Sequence, residues 1–286
     1  MDAAQVPVAV FESIRGRLFG LAYRMTGSRA DAEDIVQEAY VRWHQAQQRA
    51  IENPDAWLVT TTGRLAIDRL RRLKTEREAY VGQWLPEPIV THDQPDRNLD
   101  LADDLSMAFL NILERLAPEE RAAFLLHDVF DVGYGEIASV LEKSESACRQ
   151  VVHRARERVR SDRRRFEVTE SAKAAMLQKF LAAMEARNEQ ALLALFAPDA
   201  TWTADGGGKT AAGLHPIAGA DRIARLVIGL RERFWAADRT LHVETVNGET
   251  ALCMRDGARL TATISIATDG EHIHAVYAVV NPDKLK

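Results

Sequence analysis

Ser146, Arg149, Gln150 and His153 recur at three- and four-residue spacing in the segment SESACRQVVHRARERVR, which sets them on one side of a helix. Ala147, Val151, Val152 and Ala155 cluster on the other side, with Cys148 at their edge. A free polar face of that kind has the chemistry to read a DNA major groove. Arg bridges guanine O6 and N7, Gln pairs with adenine, and Ser or His donates to base or phosphate. Arg154 follows directly, and Arg156, Arg158, Arg160, Arg163, Arg164 and Arg165 extend a cationic tail that phosphates attract. A solvated helix in an ordinary bundle fits the same pattern, so the face needs its neighbours to be interpreted.

The neighbours are helical. Ile137, Ala138 and Leu141 give a preceding helix its apolar side, Glu142-Lys143 makes a short turn, and Ser144 is a good N-cap for the next helix. Residues 134–158 thus read as a helix-turn-helix. Far upstream, Ala32, Ile35, Val36, Ala39 and Trp43 recur at helical spacing, with Asp31, Asp34 and Glu38 opposite them, so this helix has an acidic outer face. Asn53-Pro54 ends that pattern. Asp55 is expected to cap a helix that starts at Ala56, carries Leu58, Leu65, Ala66 and Leu73 toward a core, and turns basic through Arg64, Arg69, Arg71, Arg72, Lys74 and Arg77.

Pro86, Pro88 and Pro95 mark residues 79–104 as an extended linker between helical segments at 8–78 and 105–165. After about residue 170 the texture changes. Residues 173–187 keep a helical period, whereas LHVETV, TALCMR, ARLTATISIA and HIHAVYAVV alternate as strands, separated by turn signals at Asn247-Gly248, Asp256-Gly257 and Asp269-Gly270. The expected architecture is multidomain: two all-α domains, then an α+β domain over 170–286.

Composition narrows the options. A formal net charge of −5 excludes a chain that coats nucleic acid along its length and leaves room only for local basic patches. With Cys148 and Cys253 as the only cysteines, neither a disulfide framework nor a four-thiolate zinc site is expected, and a reducing cytosol suits the chain. The N-terminal stretch lacks a leader pattern, and no run approaches about 18 apolar residues, so no membrane contact and a cytoplasmic location are expected.

Taken together, ADAEDIVQEAYVRW, NPDAWLVTTTGRLAIDRLRR and LAPEERAAFLLHDVFDVGYGEIASVLEKSESACRQVVHRAR resemble the bacterial extracytoplasmic function sigma factors in order and spacing across residues 8–163. The resemblance implies a protein that joins core RNA polymerase, through its β′ clamp and β flap, and directs transcription from particular promoters, often under stress. It implies polymerase contact by Asp31, Asp34, Gln37 and Glu38. It implies −10 contact by Asn53, Trp57, Arg64, Asp68 and Arg71, and −35 contact by Ser146, Arg149, Gln150, His153 and Arg154. Trp57 suits a core position as well as a stacking platform.

The segments YVGQWLPEP, DGGGK at 205–209 and NPDKL resemble signatures of the sigma J group, whose members carry a C-terminal domain similar to the SnoaL and nuclear transport factor 2 superfamily. In that group the fused domain takes the place of a separate anti-sigma factor. The implied regulatory contacts are Trp84, Leu85 and Pro86, then Asp205, Gly206, Gly207, Gly208 and Lys209, and finally Asn281, Pro282 and Asp283. These three motifs are expected to meet, joining the C-terminal domain to the linker and to the first helical domain. The alternative is that the glycines serve only tight turns. The superfamily also contains cyclases and isomerases with an acidic base. A competing reading is therefore a helix-turn-helix regulator whose C-terminal domain senses a small ligand or performs proton transfer through Asp205, His215, Asp221, His272 or His274. His272 and His274 alternate on an expected strand but lack a third ligand. No catalysis, metal or cofactor is expected.

Overall fold

The computed structural model describes residues 5–46, 51–90, 105–163, 168–234 and 239–285, of which 5–7, 162, 163 and 234 are described by backbone alone. The described residues divide into two units, the first formed by residues 5–78 and 112–161, the second by 79–90, 105–111 and 162–285.

In the first unit, α1 (Gln5–Thr26), α2 (Arg29–Ala46) and α3 (Pro54–Glu78) bury Leu18, Ala22, Ile35, Trp43, Leu58 and Ile67 in a common core. Gly27, at φ 66°, ends α1 and donates its N–H to the Tyr23 carbonyl at 2.7 Å. The expected start of α3 needs correction. Asn53, not Asp55, is the cap: its Oδ1 accepts the Ala56 N–H at 3.1 Å, and Pro54 takes the first helical position, where its missing N–H costs nothing. Leu65 is only half-buried, and Val59, Ile67 and Leu70 line the core in its stead.

The rest of this unit follows from α4 (Met107–Glu114), whose last residues belong here, through α5 (Pro118–Phe124) and a π-helical turn at Leu125–Val129 to α6 (Tyr134–Leu141) and α7 (Glu145–Arg163). Glu142, at φ 55°, turns the chain between α6 and α7. Lys143 then closes on the Ala138 carbonyl at 3.0 Å, and Ser144 Oγ caps α7 through the Ala147 N–H at 3.3 Å. Cys148 lies at the centre of the buried stripe and not at its edge, whereas Ala147 is half-exposed.

The second unit is built on a six-stranded sheet in the order β2-β1-β6-β5-β4-β3. Its strands are β1 (Phe196–Asp205), β2 (Ile217–Ala218), β3 (Arg239–Val246), β4 (Glu249–Asp256), β5 (Arg259–Thr268) and β6 (Ile273–Val279). The expected antiparallel meander is β3 to β6, with Asn247 and Gly248 at positive φ in the first hairpin. β1 adds a parallel pair beside β6, which makes the sheet mixed. One face packs on α8 (Glu170–Glu185), α9 (Glu189–Leu195) and α10 (Ala220–Phe234) through Leu177, Phe180, Leu192, Ile223 and Val227.

The other face of the sheet is covered by the expected linker. Leu85 and Met107, with Leu285 from the tail, bury Ala267, Ala275, Tyr277 and Val279, and Val90 packs on Val246, Ala251 and Cys253. The polar half of the expected linker, from Thr91 to Asp104, lies outside the described residues, as do Arg164 and Arg165.

Candidate DNA-reading faces and linker anchors

Ser146, Arg149, Gln150, His153 and Arg154 are all exposed along α7. Arg149 stands over the Tyr134 ring at 5.1 Å and pairs with Glu145 at 3.1 Å. Both members of that ion pair are more than half exposed, so the pair is worth little. The cationic tail is smaller than its residue count implies. Arg156 grips the Asp128 carboxylate with two nitrogens, and Arg158 pairs with Glu120 at 2.6 Å, so both brace α7 against the preceding helices.

On α2, Asp34, Gln37 and Glu38 are exposed, with Glu38 holding Arg42 at 2.8 Å. Asp31 is largely withdrawn from solvent, bound by Arg69 of α3 at 2.6 Å. On α3, Trp57 is half-buried with its ring 5.8 Å from that of Trp43. Arg64 donates to Ser139 Oγ of α6, and Arg71 lies 3.4 Å from the exposed Asp68 and 3.5 Å from Glu119 of α5. Asn53 is exposed at the helix start.

The α3–α5 contact has a partly buried polar centre, in which Arg121 is fully withdrawn from solvent. Glu114 accepts from Arg77 and from Arg121, the latter at 2.6 Å. These arginines also donate to the last carbonyls of α1, Arg121 to Met25 at 2.7 Å and Arg77 to Thr26. Two cations thereby satisfy the negative end of α1. Arg17 adds a bond to the Phe130 carbonyl at 2.9 Å, and Gly63 leaves room for Leu126, which a methyl group there would approach to 3.0 Å.

Within the second unit, the three motifs meet at Asp205, which is fully buried at the end of β1. Its carboxylate accepts from Tyr80 Oη, from the Leu85 N–H at 2.8 Å, from the Gly207 N–H at 3.1 Å and from Lys284 Nζ at 2.7 Å. Lys284 also donates to the Leu85 carbonyl and lies 4.0 Å from the centre of the Trp84 ring, a cation–π contact. Asn281 donates to Tyr80 Oη at 2.9 Å, and Lys209 pairs with Asp283 instead of Asp205. Gly207 has φ 58° and stands against the Asn281 amide, so both the backbone angle and the space demand glycine. Burial, reinforced by the Asp205 bond, pushes the Tyr80 hydroxyl well above its ordinary pKa and keeps it a donor. Leu85 and Pro86 are buried, Trp84 and Pro282 half-buried, while Gly206 is buried and Gly208 exposed.

Two further anchors were not among the expected residues. The Asn247 side-chain Oδ1 accepts the Ile89 N–H at 2.8 Å while the Asn247 backbone N–H donates to the Ile89 carbonyl at 2.8 Å. The buried Glu249 accepts the Met107 N–H at 3.0 Å and pairs with Lys173 of α8. The linker is therefore fastened to this domain on both sides of residues 91–104.

The acid–base candidates do not converge. Asp205 is consumed by the anchor, Asp221 pairs with Arg225, and His215 is exposed. His272 and His274 do not share a strand: β6 begins at Ile273, His272 sits in the preceding turn, and His274 pairs with Asp269 at 2.7 Å. Among the described residues there is no group of three or more His, Cys, Asp or Glu able to hold a metal, and no helix long and apolar enough to cross a membrane.

A helix-turn-helix with a free polar face, in one unit with a basic helix and joined to an α+β domain, defines a multidomain DNA-reading protein. Family comparison places Sigma-70 region 2 at residues 10–76, Sigma-70 region 4 at 106–159 and a SnoaL-like domain at 177–281. The chain is 38% identical over 294 residues to the ECF RNA polymerase sigma factor SigJ of Mycobacterium tuberculosis, covering 97% of this chain and 93% of the relative. It is 28% identical over 281 residues to the probable ECF RNA polymerase sigma factor SigI of the same organism, covering 97% and 94%. Its fold matches the crystal structure of M. tuberculosis SigJ with a TM-score of 0.80 at 37% identity, covering 97% of each chain. The chain belongs to the extracytoplasmic function sigma factors, in the form that carries a C-terminal SnoaL-like domain.

Proposed function

We propose that this chain joins core RNA polymerase and directs promoter-specific initiation, reading the −35 element with α7 and the −10 element with α3, while its C-terminal domain governs that reading through the linker. The observation that carries the proposal is the free face of Ser146, Arg149, Gln150 and His153, braced from behind by Arg156 and Arg158. Asp34, Gln37 and Glu38 offer acceptors to cations of the β′ clamp, and region 4 supplies the surface for the β flap. Arg64, Asp68 and Arg71 serve the unwound −10 strand, and Asn53 sets the start of their helix.

Distance brings the C-terminal domain into the mechanism. Arg64 and Arg71 of α3 touch α6 and α5, yet the −35 and −10 elements are roughly 25 base pairs apart, about 85 Å along B-DNA. Regions 2 and 4 must separate to read both. Residues 79–106, free and extended, reach about 90–100 Å. Fastened at Leu85, at Ile89 and at Met107 to one domain, they do not. The anchors thus restrain opening, and the domain acts as a built-in brake.

In vitro transcription with core polymerase tests both parts. The full chain should give a promoter-specific transcript that a −35 mutation abolishes; equal binding to duplex promoter with and without core, and no transcript, would replace the sigma reading by that of a simple repressor. Asp205→Asn and Glu249→Gln should raise the transcript. An unchanged transcript, in variants whose Leu85 and Met107 amides exchange faster, would remove the brake.

A further inference from the structure

Glu145 opens α7, one turn ahead of Arg149 and beside Ser146, and its side chain is 53% exposed. Its carboxylate has a neighbour on each side. One oxygen accepts from Arg149 at 3.1 Å, and the other lies where a methyl group on Gly135, in the first turn of α6, would stand 3.4 Å away. Arg149 in turn stands over the Tyr134 ring, which packs edge-on against His127 with the ring centres 4.3 Å apart. Carboxylate and guanidinium thus sit together at the N-terminal end of α7, the end that a helix-turn-helix sets against base edges.

The chemistry of this pair suits more than a guanine. Arg149 supplies donors only, and an ionised Glu145 supplies acceptors only. The amino groups that a major groove offers to an acceptor are cytosine N4 and adenine N6. Adenine sets its N7 acceptor beside the amino group, where it repels a carboxylate. Cytosine presents no acceptor on that edge, so a carboxylate selects it. Phosphate would repel the same group, whereas the positive end of the α7 dipole lowers the cost of bringing it to DNA.

We infer that Glu145 is a specificity-determining residue, accepting the N4 amino group of a cytosine in the base pair next to the guanine read by Arg149. The inference rests on the proposed −35 reading by α7. It adds a second base, recognised by a charge of the opposite sign.

The test is in vitro transcription by core polymerase with the full chain, on a promoter pool randomised over the −35 and −10 elements and read by sequencing. The wild type is compared with Arg149→Ala, Glu145→Ala and Glu145→Gln. Each preference is a ratio within one pool, so differences in the amount of active complex cancel. The wild type should favour cytosine about tenfold at a position adjoining the guanine that Arg149→Ala releases. Glu145→Ala should abolish the preference for cytosine and keep that for guanine. Glu145→Gln, whose amide both donates and accepts, should move the preference toward adenine. A wild-type profile in Glu145→Ala, with guanine still released by Arg149→Ala, would overturn this inference alone. Loss of only the guanine preference in Glu145→Ala would also overturn it, leaving Glu145 to position Arg149. An equal rise in output on every sequence would do the same, by placing the carboxylate against phosphate. If neither alanine variant altered the profile, the −35 reading by α7 would fall as well.

Discussion

Arg149 is held by partners that it can leave, Glu145 and the Tyr134 ring, both on the surface of the helix-turn-helix. Arg149→Ala should therefore cost little stability but roughly 1–3 kcal/mol of binding at one base pair, with relaxed preference there. A loss of equal size on every promoter sequence in a binding assay would assign Arg149 to phosphate. Cys253 is the opposite kind of residue. Burial, with Glu244 nearby, pushes its thiol up to about 12, while the unfolded chain titrates near ~8.5. Above ~8.5 the unfolded state loses this proton first, so the contribution of Cys253 to stability falls as pH rises from there toward 12. Urea midpoints measured at successive pH values should show the decline, and Cys253→Ala should flatten it. The exposed polar face of α7 was legible because exposure follows helical period. Arg77 and Arg121 were not: their burial depends on the Met25 and Thr26 carbonyls of another helix, which no spacing within α3 or α5 reveals. Glu249 and Lys173 lie 76 positions apart and meet only through the sheet topology.

Among the elements, the linker has a structural role that its prolines did not announce. Pro86 and Pro88 mark an extended segment, and the family signature implies that Leu85 contacts the C-terminal domain, but neither periodicity nor composition signals that Leu85 is part of that domain's own core. Leu85→Ala should accordingly cost about 2–5 kcal/mol in the SnoaL-like domain, because it opens a void over Ala267, Tyr277 and Val279. Equilibrium unfolding followed through the domain's own fluorescence measures it, and a loss below about 0.5 kcal/mol would mean that the linker lies on the sheet without being part of its core. The four meander strands were readable from alternation and glycine turns. β1 was not, since Pro198 and the irregular register between Phe196 and Thr201 break its period. The start of α3 was misread by two residues because Asn53 and Asp55 are equally good caps by type, and Pro54 decides between them only through the N–H that it lacks.

For the whole molecule, a net charge of −5 is compatible with the proposed DNA reading by α7 because positive charge is concentrated and partly neutralised in place. With Arg156 and Arg158 bound to Asp128 and Glu120, Arg154 and Arg160 remain exposed for phosphates along the described part of α7. The affinity of the polymerase complex for promoter DNA should fall with salt, and Arg154→Ala should reduce the slope of log K against log salt by about 1. An unchanged slope would put Arg154 off the DNA backbone. The Lys284 bond to Leu85 joins residues 199 positions apart, which has a consequence during synthesis. At 5–20 residues per second, about 10–40 s separate the emergence of Leu85 from that of the lysine that completes its anchor. Region 2 has already left the ribosome when that interval opens, and region 4 follows within it, with the Leu85 anchor still incomplete. If the anchors act as the proposed brake, each new chain passes through a brief permissive period before its C-terminal domain closes on the linker.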